Sequence, residues 1–292
     1  MPEIVDAHQH FWDLGRNPYP WLQDESLVGF RYGDNYDAIK RDYLPDDYRR
    51  DAARQNVVAT VHMEAEWARE DPVAESAWLQ EIAERHGLPN AVVGWADFAR
   101  ADIAEVLAGH AQYPLLRSIR QKPVSMADPQ WRQGYALLAR HGFHYDLQAP
   151  WSQLGEAAAL ARDFPDTLII LNHTGLPTDR DEAALAVWRT AIEEFAAEPN
   201  TALKISGLGR AGQPWTAAAN RRVVLDAIEV FGAGRAMFAS NWPVDSLAVD
   251  SLAADSLDTI FDGFQEIVAD LGQAERRRLF RDNAVEIYRI NL

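Results

Sequence analysis

The sequence predicts a closed (β/α)8 barrel occupying residues 1–292 as a single domain. Short β-branched or apolar runs alternate with longer amphipathic patterns eight times over. Gly or Pro often punctuates the helical patterns, at Gly87, Gly142, Pro165, Gly232 and Gly272. Nearly every strand run also delivers a polar or charged residue to its C-terminal end. Repeated β-then-α units imply parallel strands with right-handed crossovers, and eight of them imply closure, with the open doubly wound sheet as the rival.

The strand runs, in order, are Ile4–His8, Val57–Glu64, Ala91–Asp97, Leu116–Gln121, Phe143–Gln148, Thr167–His173, Ala202–Ser206 and Ala236–Asn241. Amphipathic stretches separate them at Pro72–His86, Trp131–Arg140, Leu154–Phe164, Ala183–Ala197, Thr216–Phe231 and Ser256–Leu271. Residues 13–44, rich in Tyr, Trp, Pro and Asp, are too long for a plain connection and are expected to cover one end of the barrel. Glu275–Ile290 reads as an extra helix docked outside.

Composition narrows the function. The chain has 292 residues, 48% hydrophobic and 25% charged, enough to bury a large core. A net charge of −16 argues against nucleic acid or an anionic membrane as partner. Without cysteine there are no disulfides and no thiolate chemistry. No apolar run approaches the roughly 18 residues of a membrane span, and the first residues lack the pattern of a secretory signal. The expectation is a soluble cytoplasmic protein acting on a small molecule, with pairing into a homodimer common among such barrels.

Ligands of such barrels bind at the C-terminal ends of the strands. In Asp6-Ala7-His8-Gln9-His10 the alternation of a strand puts Asp6, His8 and His10 on one face. Two imidazoles side by side suit a divalent metal; taken alone, the same pair reads as buried, hydrogen-bonded histidines. Strand two places Thr60, His62 and Glu64 inward, with Ala59, Val61 and Met63 toward the helices. Strand four offers Ser118, Arg120 and Lys122, strand five His144, Asp146 and Gln148, strand six His173, strand seven Lys204 and Ser206. A structural barrel would fill these positions with Val, Ile and Leu, so an enzyme site explains them better.

Asp6-Ala7-His8-Gln9-His10, Ile119-Arg120-Gln121, Asn172-His173-Thr174-Gly175, Lys204-Ile205-Ser206-Gly207 and Ser240-Asn241-Trp242-Pro243 together resemble the amidohydrolase superfamily. The likeness is to its "amidohydrolase 2" TIM-barrel branch, which contains sugar-lactone and pyrone-dicarboxylate lactonases, and it covers essentially the whole chain. It implies hydrolysis of a small molecule, most often a lactone, beside a histidine cluster. Some members use one divalent metal, typically zinc, and others none; His8, His10 and His173 are the ligands it implies here.

The resemblance implies a water-activating aspartate at the end of strand eight, and this chain has Asn241 there. An amide cannot take a proton, so Asp245, four residues on, is the expected replacement, with a loop cap or surface carboxylate as its rival reading. Gln148 stands where many relatives carry a metal-binding histidine. Arg120, Lys122 and Lys204 suit a substrate carboxylate or polarised carbonyl, or structural ion pairs with Glu64 or Asp146. Gln148 and Ser206 would orient the substrate, and Glu64 would contact it. Trp12, Trp67, Trp151 and Trp242 follow strand ends and could wall the pocket. His62 reads as core, and His86, His110 and His141 as solvated. The expected reaction is hydrolysis of a sugar-acid or dicarboxylate lactone. The alternatives are decarboxylation or amide hydrolysis on the same barrel, and sugar-acid binding by a decayed site.

Overall fold

The computed structural model describes residues 1–24, 36–123, 125–248 and 256–292. Eight parallel strands lie side by side in sequence order: β1 (Ile4–Gln9), β2 (Val57–Met63), β3 (Ala91–Trp95), β4 (Leu116–Gln121), β5 (His144–Leu147), β6 (Ile169–Leu171), β7 (Thr201–Ile205) and β8 (Ala236–Phe238). The two edges meet at the rim. Asn241 N–H donates to the His8 carbonyl and His10 N–H to the Trp242 carbonyl, both at 2.8 Å. The expected (β/α)8 TIM barrel is the architecture found, and its closing seam passes through the histidine pair of β1.

Helices cover the strands: α1 (Pro45–Asp51), α2 (Ala74–His86), α3 (Ile103–His110), α4 (Pro129–Tyr135), α5 (Leu154–Asp163), α6 (Glu182–Ala196), α7 (Ala217–Phe231) and α8 (Leu257–Ile267). Their ends follow local chemistry. Asp128, Asp181, Thr216 and Ser256 each accept a bond from the third N–H of the following helix. After α2 the chain turns left-handed at Gly87 (φ 73°), where a side chain would strain.

Helix α3 was not anticipated from the sequence, although Ile103, Val106, Leu107 and His110 are buried at helical spacing. His110 is therefore not solvated: its ring nitrogens meet Ser76 Oγ and the Trp95 carbonyl, both at 2.9 Å. The C-terminal stretch also departs from expectation. It breaks into Gln273–Arg277, a wider turn Arg278–Asp282 and α9 (Asn283–Tyr288). Tyr288 is fully buried, with its hydroxyl 3.0 Å from both Asp146 oxygens. This end of the chain plugs the barrel.

Val5, Ala59, Val61, Ile170, Ala202 and Met237 fall in one apolar cluster with Tyr288. Strands on opposite sides of a sheet share a cluster only inside a closed barrel, so these residues line its interior. The inward face of β2 is therefore Ala59, Val61 and Met63, the reverse of the sequence expectation. The apolar side chains expected against the helices instead fill the barrel interior beside Tyr288. Strand β1 is itself irregular: Asp6 pairs with Thr60 but Gln9 pairs with His62. The extra residue breaks strict alternation. His62 packs against Phe11 and bonds its carbonyl at 3.2 Å, a core histidine as expected.

Candidate active site

The irregularity in β1 and the seam with β8 bring His8, His10 and Asn241 together, and β6 adds His173. The His8 ring lies 5.1 Å from His10 and 4.5 Å from His173, centre to centre. Asp6 does not join them; it accepts bonds from the Tyr48 hydroxyl and from Ser240.

Backbone strain marks the same place. His173 (φ 55°), Thr174 (53°) and Asn241 (56°) adopt left-handed conformations that non-glycine residues avoid. Ile169 and Leu171 pack toward the helices, so simple alternation would turn His173 outward as well. The strand instead stops at Leu171, and the left-handed step delivers His173 to the cavity wall.

A cavity of about 150 Å3 opens here, bordered by His10, His173, Asn241, Arg120, Lys122 and Gln148, with Trp21 and Tyr36 as its aromatic walls. A larger cavity of about 450 Å3 lies near Met1 and the Gln273–Arg281 segment, but no histidine lines it and it is remote from the strand C-termini.

Hydrogen bonds assign the histidines. The Met63 carbonyl, 2.9 Å from His10 Nδ1, can only accept, so Nδ1 carries the proton and Nε2 presents a lone pair. That lone pair faces Asn241 Oδ1 at 3.3 Å. His173 Nδ1 lies 2.9 Å from Ser206 Oγ. Both ring nitrogens of His8 are buried with no hydrogen-bond partner among the described residues. Burial, reinforced by His173 and Lys204 around His8 and by Arg120 around His10, holds both rings well below the usual histidine pKa, hence neutral.

Neutral imidazoles are what a divalent metal requires, and a metal-binding histidine commonly donates its other N–H to a carbonyl, as His10 does. His10 Nε2 and Asn241 Oδ1 at 3.3 Å span what two atoms of one coordination sphere span when each lies about 2.0–2.1 Å from zinc. The donors that fit a metal are thus His8, His10 and Asn241. The expected three-histidine set is corrected: among the described residues no three His, Cys, Asp or Glu side chains are grouped to hold a metal ion. The third donor, Asn241 Oδ1, belongs to an amide and is neutral.

The charged groups are paired. Arg120 Nε donates to Glu64 Oε1 (2.7 Å), Nη2 to the Glu64 carbonyl (2.7 Å) and Nη1 to Gln148 (2.9 Å). Burial alone would raise the Glu64 pKa, but Arg120, then Arg69 and Lys122, outweigh it and hold Glu64 down at about 2. Lys122 meets Glu66, and Arg69 bridges Glu64 and Glu66. Glu64 stands behind Arg120, outside the cavity lining.

Several expected site residues lie elsewhere. Lys204 has no solvent contact and pairs with Asp146 at 2.8 Å, beneath the cavity. Asp245 is buried behind Asn241, whose Nδ2 donates to its Oδ1 at 2.6 Å. Trp12 and Trp242 do not wall the pocket; their indoles donate to the Arg41 carbonyl (2.7 Å) and to Asp51 (2.8 Å). Trp67 packs between Tyr19 and Trp78, and Trp151 lies at a separate surface hollow. Trp21 and Tyr36 were missed. Both belong to the 13–44 segment that the sequence assigned to one barrel end, and residues 25–35 of that segment lie outside the described ones.

No helix among the described residues is long and apolar enough to cross a membrane. The chain is 42% identical to "Uncharacterized protein y4mH" of Sinorhizobium fredii, over 98% of each chain. It is 30% identical to an L-fucono-1,5-lactonase of Burkholderia ambifaria, over 98% of this chain and 96% of that one. A crystal structure of a Burkholderia multivorans amidohydrolase with bound zinc superposes with a TM-score of 0.82 at 28% identity, over 99% of both chains. The amidohydrolase family model matches residues 5–290, and the chain belongs to that family.

Proposed function

We propose that this protein hydrolyses an uncharged sugar-acid lactone. The observation that carries this reading is the neutral His10, oriented by the Met63 carbonyl, beside cations already matched by carboxylates. Arg120 faces Glu64 and Lys122 faces Glu66, so neither is left over for the carboxylates of a dicarboxylate lactone. Glu64 takes Nε and Nη2 of Arg120, and Nη1, which gives one N–H to Gln148, carries a second that in this reading donates to a carbonyl oxygen at the cavity. Trp21 and Tyr36 offer faces to the apolar side of a sugar ring. Lactonases among the relatives support the same class.

In this reading His173 takes a proton from water as the water oxygen attacks the lactone carbonyl carbon. Arg120 stabilises the oxyanion. The ring C–O bond then breaks, and His173 returns the proton to the departing ring oxygen, giving the open hydroxy acid. In this reading His173 Nδ1–H donates to Ser206 Oγ, 2.9 Å away, so that Nε2 carries the lone pair that takes the proton. Zinc is the ion bound in one solved relative. His8, His10 and Asn241 would hold such an ion here, and it would supply Lewis-acid polarisation of the carbonyl.

The experiment is acid release from a panel of aldonic 1,4- and 1,5-lactones and dicarboxylate lactones, using protein of known metal content. Turnover confined to the uncharged lactones is expected. Preference for dicarboxylate lactones would overturn the charge argument, and silence across the panel would overturn the lactonase reading.

A further inference from the structure

We propose that Asp245 is a positioning residue that acts through Asn241, holding the amide so that its oxygen, not its nitrogen, stands beside His10 Nε2. The argument needs only donor and acceptor rules. A carboxylate accepts and does not donate, so the amide atom 2.6 Å from Asp245 Oδ1 is Nδ2. The other amide atom, facing His10, is then Oδ1. The Met63 carbonyl likewise accepts only, which places the His10 proton on Nδ1. Two lone pairs therefore face each other at 3.3 Å with no hydrogen between them.

An unrestrained asparagine would turn over and donate Nδ2–H to His10. The bond to a charged acceptor is roughly twice as strong as that neutral alternative, so Asp245 decides the orientation. The backbone is committed to the same end. Asn241 is held left-handed, its N–H bonds the His8 carbonyl, and Asp245 N–H bonds the Asn241 carbonyl at 3.0 Å. The result is a pair of convergent acceptors at the cavity edge, suited to an electrophile such as a divalent cation. The negative charge is withdrawn one side chain behind the contact. Where one carboxylate could supply both oxygen and charge, this chain divides them between Asn241 and Asp245.

The inference takes its cation role from the metal-binding part of the proposed function, and its test requires no lactone. A double-mutant cycle of Asn241→Asp and Asp245→Asn in the full chain is read by the nitrogen NMR shift of His10 Nε2, assigned with His10→Gln. It is read also by the dissociation constant for Co2+ alone. In Asp245→Asn the amide is released, the His10 Nε2 resonance moves upfield as it gains an N–H partner, and Co2+ affinity falls about tenfold or more. In the Asn241→Asp background the same change leaves the His10 signal in place and Co2+ affinity undiminished, because a carboxylate presents oxygen either way round. Asp245→Ser, which removes the obligate acceptor by another route, should reproduce the His10 shift.

Equal losses of Co2+ affinity in both backgrounds would make Asp245 a distant charge and overturn the proposal. An unmoved His10 signal in Asp245→Asn and Asp245→Ser would overturn it too. Absence of Co2+ binding by the unsubstituted chain would overturn the cation role of the acceptor pair. Since no readout involves turnover, a failed lactone panel and a failed cycle are separate results.

Discussion

Arg120 grips Glu64 at two points, its carboxylate and its main-chain carbonyl, both at 2.7 Å. With Gln148 as the third partner, the guanidinium is fixed in orientation at the cavity wall. Breaking a buried pair by removing one partner costs about 3–5 kcal/mol. Arg120→Met should therefore lower stability in urea by that order, whereas Arg120→Met combined with Glu64→Leu should recover most of it. Arg120→Lys keeps the charge but loses the fork, and kcat on the best lactone should fall by roughly 10²–10³. Unchanged kcat in Arg120→Lys would remove Arg120 from the oxyanion role.

His173 carries the proton in the proposed hydrolysis, so His173→Gln should act on chemistry more than on binding. A positioned general base contributes about 10²–10⁴ in rate. Steady-state kinetics should show kcat falling within that range and KM changing by less than about threefold. A large rise in KM with kcat preserved would make His173 a binding residue.

Glu75 on α2 is buried and accepts bonds from Ala65 N–H (2.9 Å) and the Tyr19 hydroxyl (3.3 Å). Burial, then the charge of Glu64, pushes its pKa up to about 8 from 4.5. Between those values the unfolded chain has released a proton that the folded chain retains, so stability from this group declines as pH rises through that window. Glu75→Gln keeps an acceptor for Ala65 and cannot ionise. The melting temperature of the variant relative to the parent should rise from about pH 5 to about pH 8. A difference independent of pH would show that Glu75 titrates normally.

The sequence made the barrel legible because period and punctuation are local properties. All eight strands lie within or beside their expected runs, and helix ends fall at Gly87 and Gly142 where a left-handed turn was needed. What it hid depends on irregular backbone. The extra residue in β1 resets which of its own side chains face inward, and polarity misassigned β2, whose apolar Ala59, Val61 and Met63 fill the interior. His173 was identified although its alternation was wrong; a left-handed residue, which no periodicity announces, turns it inward. Trp21 and Tyr36 were missed because a long segment's composition says that it covers an end, not which ring lands on the cavity. The sequence left Arg120 and Lys204 open between substrate contact and ion pair, since only distances to Glu64 and Asp146 separate these readings.

Lys204 puts that distinction to the test. Its ammonium is sealed from solvent, 2.8 Å from Asp146 Oδ1 and 4.8 Å from the centre of the Tyr288 ring. Asp146 also accepts from Asn172 Nδ2 at 2.8 Å and from the Tyr288 hydroxyl. This knot joins β5, β6, β7 and the C-terminal plug below the cavity, so its task is to hold the barrel floor. Lys204→Met leaves the carboxylate buried without its cation, which should lower stability by about 3–5 kcal/mol, while Lys204→Met with Asp146→Asn should lose less. Kinetics on the folded fraction should show KM within about twofold of the parent, because no bond to substrate is lost. A tenfold rise in KM with stability intact would place the ammonium on the substrate after all and displace Asp146 as its partner.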